Sequence, residues 1–283
     1  MLRFGPSGNS DKFFEDGNKE TIQAFAWLDK MGLNAFEYSF TLGRYLRQDT
    51  AQKLGEEAKK YNIEISGHAP YFINFCNNTD ISKENNAKFI LNTLNSLKNM
   101  GGKRCIFHIG AQMKMAREDA LNNLKTNFLE FLPTFYEQNY EGMYLMPETM
   151  GKYSQIGNVD EILEICSWDK SLIPCFDFGH INCIMQGALK TKDDYMAILE
   201  KGIQKIGLDK MNKCHIHFSK IKYGEKGEIA HLTFDDRDYG PDFEPMIDAL
   251  CELKLNPVII CESKGTQAID AKMMSDYYKT LSK

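Results

Sequence analysis

Short apolar, β-rich runs recur along the chain, and the stretches between them space their apolar residues as helices do. The runs are Leu2–Phe4, Leu33–Phe40, Ile63–Ser66, Cys105–His108, Met143–Met146, Ile173–Phe178, Lys213–Phe218 and Pro257–Cys261. Between them, Ile90, Leu94 and Leu97 share a helical face that stops at Gly101-Gly102. Leu121, Leu124, Phe128 and Phe131 share another, after which Pro133 intervenes. Ile198, Leu199, Ile203 and Ile206 lead up to Gly207. Phe243, Met246, Ile247 and Leu250 form a further stripe, and Ile269, Met273, Tyr277 and Leu281 the last. Each stripe predicts a helix face packed on a sheet.

Strands alternating with helices give either an open, doubly wound sheet or a closed barrel. The first strand runs into GPSGNS, with no GxGxxG, which removes the usual dinucleotide signal. Eight strand–helix units in 283 residues favour the closed (β/α)8 TIM barrel, and no linker-like segment divides it, so residues 1–283 are expected to form a single domain.

Composition narrows the setting. Apolar residues are 43% and charged residues 26%, with a formal net charge of −5, as in ordinary globular proteins. No lysine/arginine block forms a nucleic-acid-binding tail, and no apolar run is long enough for a membrane span. The N-terminus, MLRFGPSGNSDKF, has no apolar signal core, and none of the 8 Cys form a CxxC pair. Reduced, packed thiols in a cytoplasmic protein are the expectation.

The polar residues at the strand ends carry the chemistry. The third to eighth strands end in ISGHAPY (His68), IFHIG (His108), LMPET (Glu148), CFDFGH (Asp177, His180), CHIHFS (His215, His217) and IICES (Glu262). In a barrel these tips meet at the C-terminal face, where active sites of this fold sit. Gathering several carboxylates there is costly without positive charge, and no Lys or Arg lies within the tips. Divalent metal is the natural compensator, and His with Asp/Glu suits zinc or manganese. With His231 in the loop after the seventh strand, the donors outnumber what one ion needs, which points to two or three ions. Closely spaced ions suit phosphate ester cleavage.

At these residues the sequence resembles the endonuclease IV family of apurinic/apyrimidinic endonucleases. The resemblance runs over almost the whole chain and rests on HAPYFIN, IFHIG, PETMGKYSQIG, FDFGH and HIHFSK. It implies a barrel with three zinc ions at its C-terminal face. Its ligands would be His68 and His108 on the first ion, Glu148 as a bridge, Asp177 on one ion and His180 on another, Glu262 as the last carboxylate, and His231 on the third. HIHFSK aligns without a gap on the family's strand, which favours His215, with His217 as a rival on the same strand face. Where the family carries Asp-Arg-His, this chain reads Glu228-Ile-Ala-His231, so Glu228, or else Asp235 or Asp236, would replace the family's Asp. Ile109 stands where the family has Pro, and FGPSGNS departs from its Gly-x-His-Val-Ser type, which marks a divergent branch.

The implied reaction is hydrolysis of the phosphodiester 5′ to an abasic site in double-stranded DNA by a monomeric enzyme, with Glu148 and Glu262 essential. The resemblance also implies that Tyr71 and Phe72 enter the duplex at the lesion. Arg44 and a short basic stretch, Lys220, Lys222 and Lys226, are candidate phosphate contacts. The competing expectation is a sugar isomerase or epimerase of the xylose-isomerase-like barrels. It would use one ion on Glu148, Asp177, His215 or His217, and Glu262, and would leave His68, His108, His180 and His231 without a role.

Overall fold

The computed structural model describes residues 1–40 and 42–281. Among these residues there are ten strands, eight of which alternate with helices: β1 (Arg3–Pro6), β2 (Ala35–Ser39), β3 (Glu64–His68), β4 (Arg104–Phe107), β5 (Tyr144–Pro147), β6 (Cys175–Asp177), β7 (His215–Phe218), β8 (Ile221–Gly224), β9 (Gly227–His231) and β10 (Val258–Cys261). The helices are α1 (Asp11–Glu15), α2 (Ala24–Lys30), α3 (Gln48–Lys60), α4 (Asp80–Met100), α5 (Arg117–Glu137), α6 (Val159–Ser167), α7 (Phe178–Ile184), α8 (Lys192–Ile206), α9 (Leu208–Met211), α10 (Glu244–Glu252) and α11 (Gln267–Leu281).

Two parallel sheets, β2-β3-β4-β5 and β1-β10-β7-β6, make the barrel wall. Parallel bridges Ser7–Glu37, Leu145–Leu172 and Glu148–Cys175 join them at both seams. The result is the eight-stranded parallel (β/α)8 barrel that the alternation predicts. Among the described residues β8 and β9 pair along their length only with each other, as an antiparallel hairpin inserted after β7.

Strand alternation sorts the wall residues. Phe36, Ile65, Cys105, Phe107, Leu145, Phe176, Ile216, Phe218, Ile259 and Cys261 belong to the large core shared with the helices. The lumen holds two small apolar clusters, one of Ile106, Met146, Ile173 and Cys175, the other of Ala35, Val258 and Ile260. Polar residues occupy the rest. At the N-terminal end, Arg104 binds Glu64 at 2.7 Å and the Lys213 carbonyl at 2.5 Å, and Arg3 reaches Glu64 at 3.2 Å. The C-terminal end of the lumen is the site described below.

Two helix expectations need correction. α5 runs through Pro133 to Glu137 rather than breaking there. Burial of Phe131, Leu132 and Phe135 around the proline offsets its missing hydrogen bond. In α11 the buried face is Ala268, Ala271 and Met274, while Ile269, Met273 and Leu281 are 37%, 45% and 45% exposed. Small alanines let this helix lie close against β1, and periodicity in bulky residues alone points to the wrong face.

Candidate metal centre

Strand ends position the side chains. Asp177 ends β6 and is also the N-cap of α7: its Oδ1 accepts the His180 N–H at 2.8 Å. One short strand–helix junction therefore delivers both Asp177 and His180. Glu148 follows β5, where its backbone N–H donates to the Phe107 carbonyl at 3.1 Å. The hairpin folds back over this loop. Its Glu228 N–H donates to the Gly151 carbonyl at 2.8 Å, and Lys152 bridges Gly227.

Among the described residues four groups of donor atoms result, three that adjoin at the cleft and a fourth, of Glu37, His215 and His217, buried beneath them. His68, His108 and Glu148 form one; Glu148, Asp177, His217 and Glu262 a second; His180, Glu228 and His231 a third. Within each group the donor atoms lie within 4.8 Å of one another, and Glu148 belongs to the first two. His68 Nε2 is 3.0 Å and His108 Nε2 3.3 Å from Glu148 Oε2, while His217 Nδ1 is 3.1 Å from Glu148 Oε1 and 3.7 Å from Glu262 Oε2.

Most of these imidazoles have one ring nitrogen tied outside its group. His68 Nδ1 lies 2.8 Å from the Ala69 carbonyl and His180 Nδ1 3.0 Å from the Thr149 carbonyl. A carbonyl only accepts, so each Nδ1 carries the proton and each Nε2 turns to its group. His231 Nδ1 meets the Ser219 hydroxyl at 2.9 Å, leaving Nε2 on the Glu228 side. Asp177 Oδ2 is buried with no hydrogen-bond partner among the described residues. Buried carboxylates, oriented imidazoles and an orphaned carboxylate oxygen fit divalent cations with N/O ligands.

Charge in the cluster is strongly coupled. Burial alone would lower His68, but the Glu148 carboxylate outweighs it and takes the ring up to about 9. His180 and His217 are likewise raised against burial, His180 chiefly by Asp177 and Glu148. Burial opposes ionisation of Glu148, yet His217, His108 and His180 hold it well below the carboxylate range. Burial raises Asp177. Glu228 is held down to about 2, first by its hydrogen bond to His180.

The cleft over these groups measures about 280 Å³ and is lined by Tyr71, Lys152 and Glu262 among others. Tyr71 lines it and Phe72 packs beside Tyr71, 52% and 48% exposed, with ring centroids 4.2 Å apart. Arg44 is exposed in the segment after β2.

Three expectations change on this geometry. The ungapped alignment favours His215, but His217 is the imidazole beside Glu148 and Glu262. In register, His215 pairs with Cys175 and His217 with Asp177, so His215 lies one strand repeat deeper, against Glu37 at 3.1 Å. Lys220 is not available to phosphate, because its ammonium donates to the Asp236 carbonyl at 2.8 Å and pairs with Asp242 at 3.2 Å. The Asp236 carboxylate accepts from Asp238 and Tyr239 N–H, and Glu228 is the acid near His180. Lys222 and Lys226 are exposed on the hairpin.

Glu37 escapes the sequence reading altogether. It is fully buried on β2, where its Oε2 accepts from the Ser66 hydroxyl at 2.8 Å and faces His215 Nε2 at 3.1 Å. The signal was present: a lone carboxylate inside the apolar run AFEYS. Lys152, the cleft's one ammonium or guanidinium among the described residues, also went unremarked.

Comparison with known proteins agrees with the barrel fold. A family model described as xylose isomerase-like TIM barrel matches residues 25–277. An uncharacterized protein of Methanocaldococcus jannaschii is 32% identical over 281 residues, covering 99% of this chain and 98% of its own. A probable endonuclease 4 of Staphylococcus carnosus is 28% identical over 206 residues, 68% of this chain and 67% of its own. Among solved structures, a D-tagatose 3-epimerase-like protein superposes with a TM-score of 0.74 at 19% identity, covering 99% of this chain and 98% of the other. Endonuclease IV from Thermus thermophilus gives 0.66 at 15% identity, covering 98% of this chain and 99% of the other.

Proposed function

The chain belongs to the xylose isomerase-like TIM barrel family, and within it we propose that this protein is a divalent-cation-dependent phosphodiesterase that cuts double-stranded DNA 5′ to an abasic site. The observation that carries this reading is the set of three adjoining donor groups at the cleft, two of them sharing Glu148. A single-ion sugar epimerase has use for the group of Glu148, Asp177, His217 and Glu262, and none for the other two. The motif resemblance and the probable endonuclease 4 relative support the same choice.

His68, His108, Glu148, Asp177, His217, Glu262, His180, Glu228 and His231 would hold two or three cations, zinc first and manganese as the alternative. Bound there, the cations supply Lewis acidity toward phosphoryl oxygens and lower the pKa of a coordinated water. The protein supplies orientation. Carbonyls of Ala69 and Thr149 fix the tautomers of His68 and His180. Lys152 offers an ammonium to a phosphate oxygen. A cleft of about 280 Å³ suits a sugar-phosphate unit and not a paired base. An abasic nucleotide leaves the stack at the least cost, and the exposed Tyr71 and Phe72 rings would fill the gap it leaves.

The test is a duplex oligonucleotide carrying one stable abasic analogue, incubated with the protein and zinc or manganese. The expected product is a single nick leaving a 3′ hydroxyl, lost in Glu148→Gln and Glu262→Gln. A cation-loaded protein that leaves this duplex intact overturns the reading. Epimerisation of ketoses by the same preparation would establish the sugar reading in its place.

A further inference from the structure

We propose that Glu37, buried beneath the cluster, is a positioning residue that holds His217 with Nδ1 aimed at Glu148 and Glu262, and thereby sets how tightly the Glu148–Asp177–His217–Glu262 group retains its cation. The inference rests on the cation-dependent reading above and adds a residue outside the three donor groups assigned to it.

Glu37 and His217 are both fully buried. His217 Nε2 lies 2.9 Å from Glu37 Oε1, while its Nδ1 lies 3.1 Å from Glu148 Oε1 and 3.7 Å from Glu262 Oε2. The ring therefore spans two carboxylate layers, one nitrogen on each. The Nε2–Oε1 approach is too oblique for an aligned hydrogen bond, and neither atom has another partner among the described residues. A buried, ionised carboxylate with one free oxygen against an imidazole nitrogen leaves that nitrogen one sensible state: it carries the proton. Nδ1, which meets Glu148 Oε1 at 3.1 Å, is then the nitrogen left to a cation held with Glu148 and Glu262. Carboxylates behind ligating imidazoles fix ring orientation and raise basicity in this way.

Glu37 is itself held. The Ser66 hydroxyl donates to its Oε2 at 2.8 Å, and His215 Nε2 approaches the same oxygen at 3.1 Å. Register places Glu37 opposite Ser66 across β2 and β3, so the clamp is built into the wall. This arrangement explains why a second histidine stands on β7: His215 occupies one carboxylate oxygen and leaves the other to His217.

The test compares wild type with Glu37→Gln, which keeps the shape and removes the charge. Competitive titration with a chromophoric zinc chelator is expected to show one cation bound about 10–100-fold more weakly in the variant, with the others unchanged. Cobalt(II) in the same position should change its visible absorption, a readout that a purely structural role would not move. Ser66→Ala, which keeps the charge and loosens the clamp, should lose a smaller factor. Long-range proton–nitrogen NMR on zinc-loaded wild type should find His217 protonated at Nε2, and this reading stands even where a variant does not fold. A folded Glu37→Gln with unchanged affinity and spectrum, or Nδ1 protonation of His217, overturns the proposal. Wild type that binds no cation instead overturns the reading beneath it.

Discussion

Glu228 Oε2 lies 3.5 Å from His180 Nε2, and Glu228 Oε1 lies 3.8 Å from His231 Nε2. One carboxylate on the hairpin thus faces both imidazoles of the third donor group. If this group holds a cation, Glu228→Gln should release it. Elemental analysis of the purified variant should fall from about three to about two cations per chain. An unchanged count would remove Glu228 from the donor set.

Cation binding should be pH-dependent with a definite sign. His68 is raised from 6.5 to about 9 by Glu148. A raised folded-state value contributes stability that is full below 6.5 and lost as pH climbs through about 9. Thermal midpoints in chelator should therefore decline across that window. Cations must displace the same proton, so their affinity should rise over the same window and level off near its top. A flat midpoint in chelator would contradict the ion pair.

Gly151 lies between His180 of α7 and Glu228 of the hairpin. A Cβ there would lie 2.6 Å from His180 Cδ2 and 3.0 Å from Glu228 Cβ. Gly151→Ala should cost roughly 1–3 kcal/mol of stability. It should also weaken the His180 group selectively, seen as one cation lost to mild chelation while the others stay. Equal loss from all groups would point to general loosening.

Lys152 lines the cleft and its ammonium comes no nearer than 4.0 Å to Glu228 Oε2. With that weak partner the charge remains available to an anionic substrate. Lys152→Ala should raise KM for the abasic duplex more than it lowers kcat, and reduce the salt slope of binding by about one. A normal KM with an unchanged salt slope would remove Lys152 from the binding surface.

The fold was legible because each β-run is short, apolar and followed by a helical stripe, a pattern few architectures repeat eight times. The strand-end donors were legible because His and carboxylates are rare at the ends of buried strands. Depth along a strand was not. His215 and His217 share a face, and only the pairing of Asp177 with His217 shows which one reaches the tip. The same blindness hid Glu37, whose neighbours Ser66 and His215 come from strands far apart in sequence. Lys220 read as a free cation because nothing local announces that Asp236 and Asp242 fold back onto it.

The hairpin has a consequence for how such a centre is gained or lost. β8 and β9 take no part in closing the barrel, and they are fastened to it at Gly151 and Lys152. Yet β9 carries two of the three donors around His180. The wall alone supplies the two groups that share Glu148, and the third is an attachment that one excursion of the chain adds. The donor supply of this scaffold is therefore modular: a surface hairpin adds the third group without repacking the interior.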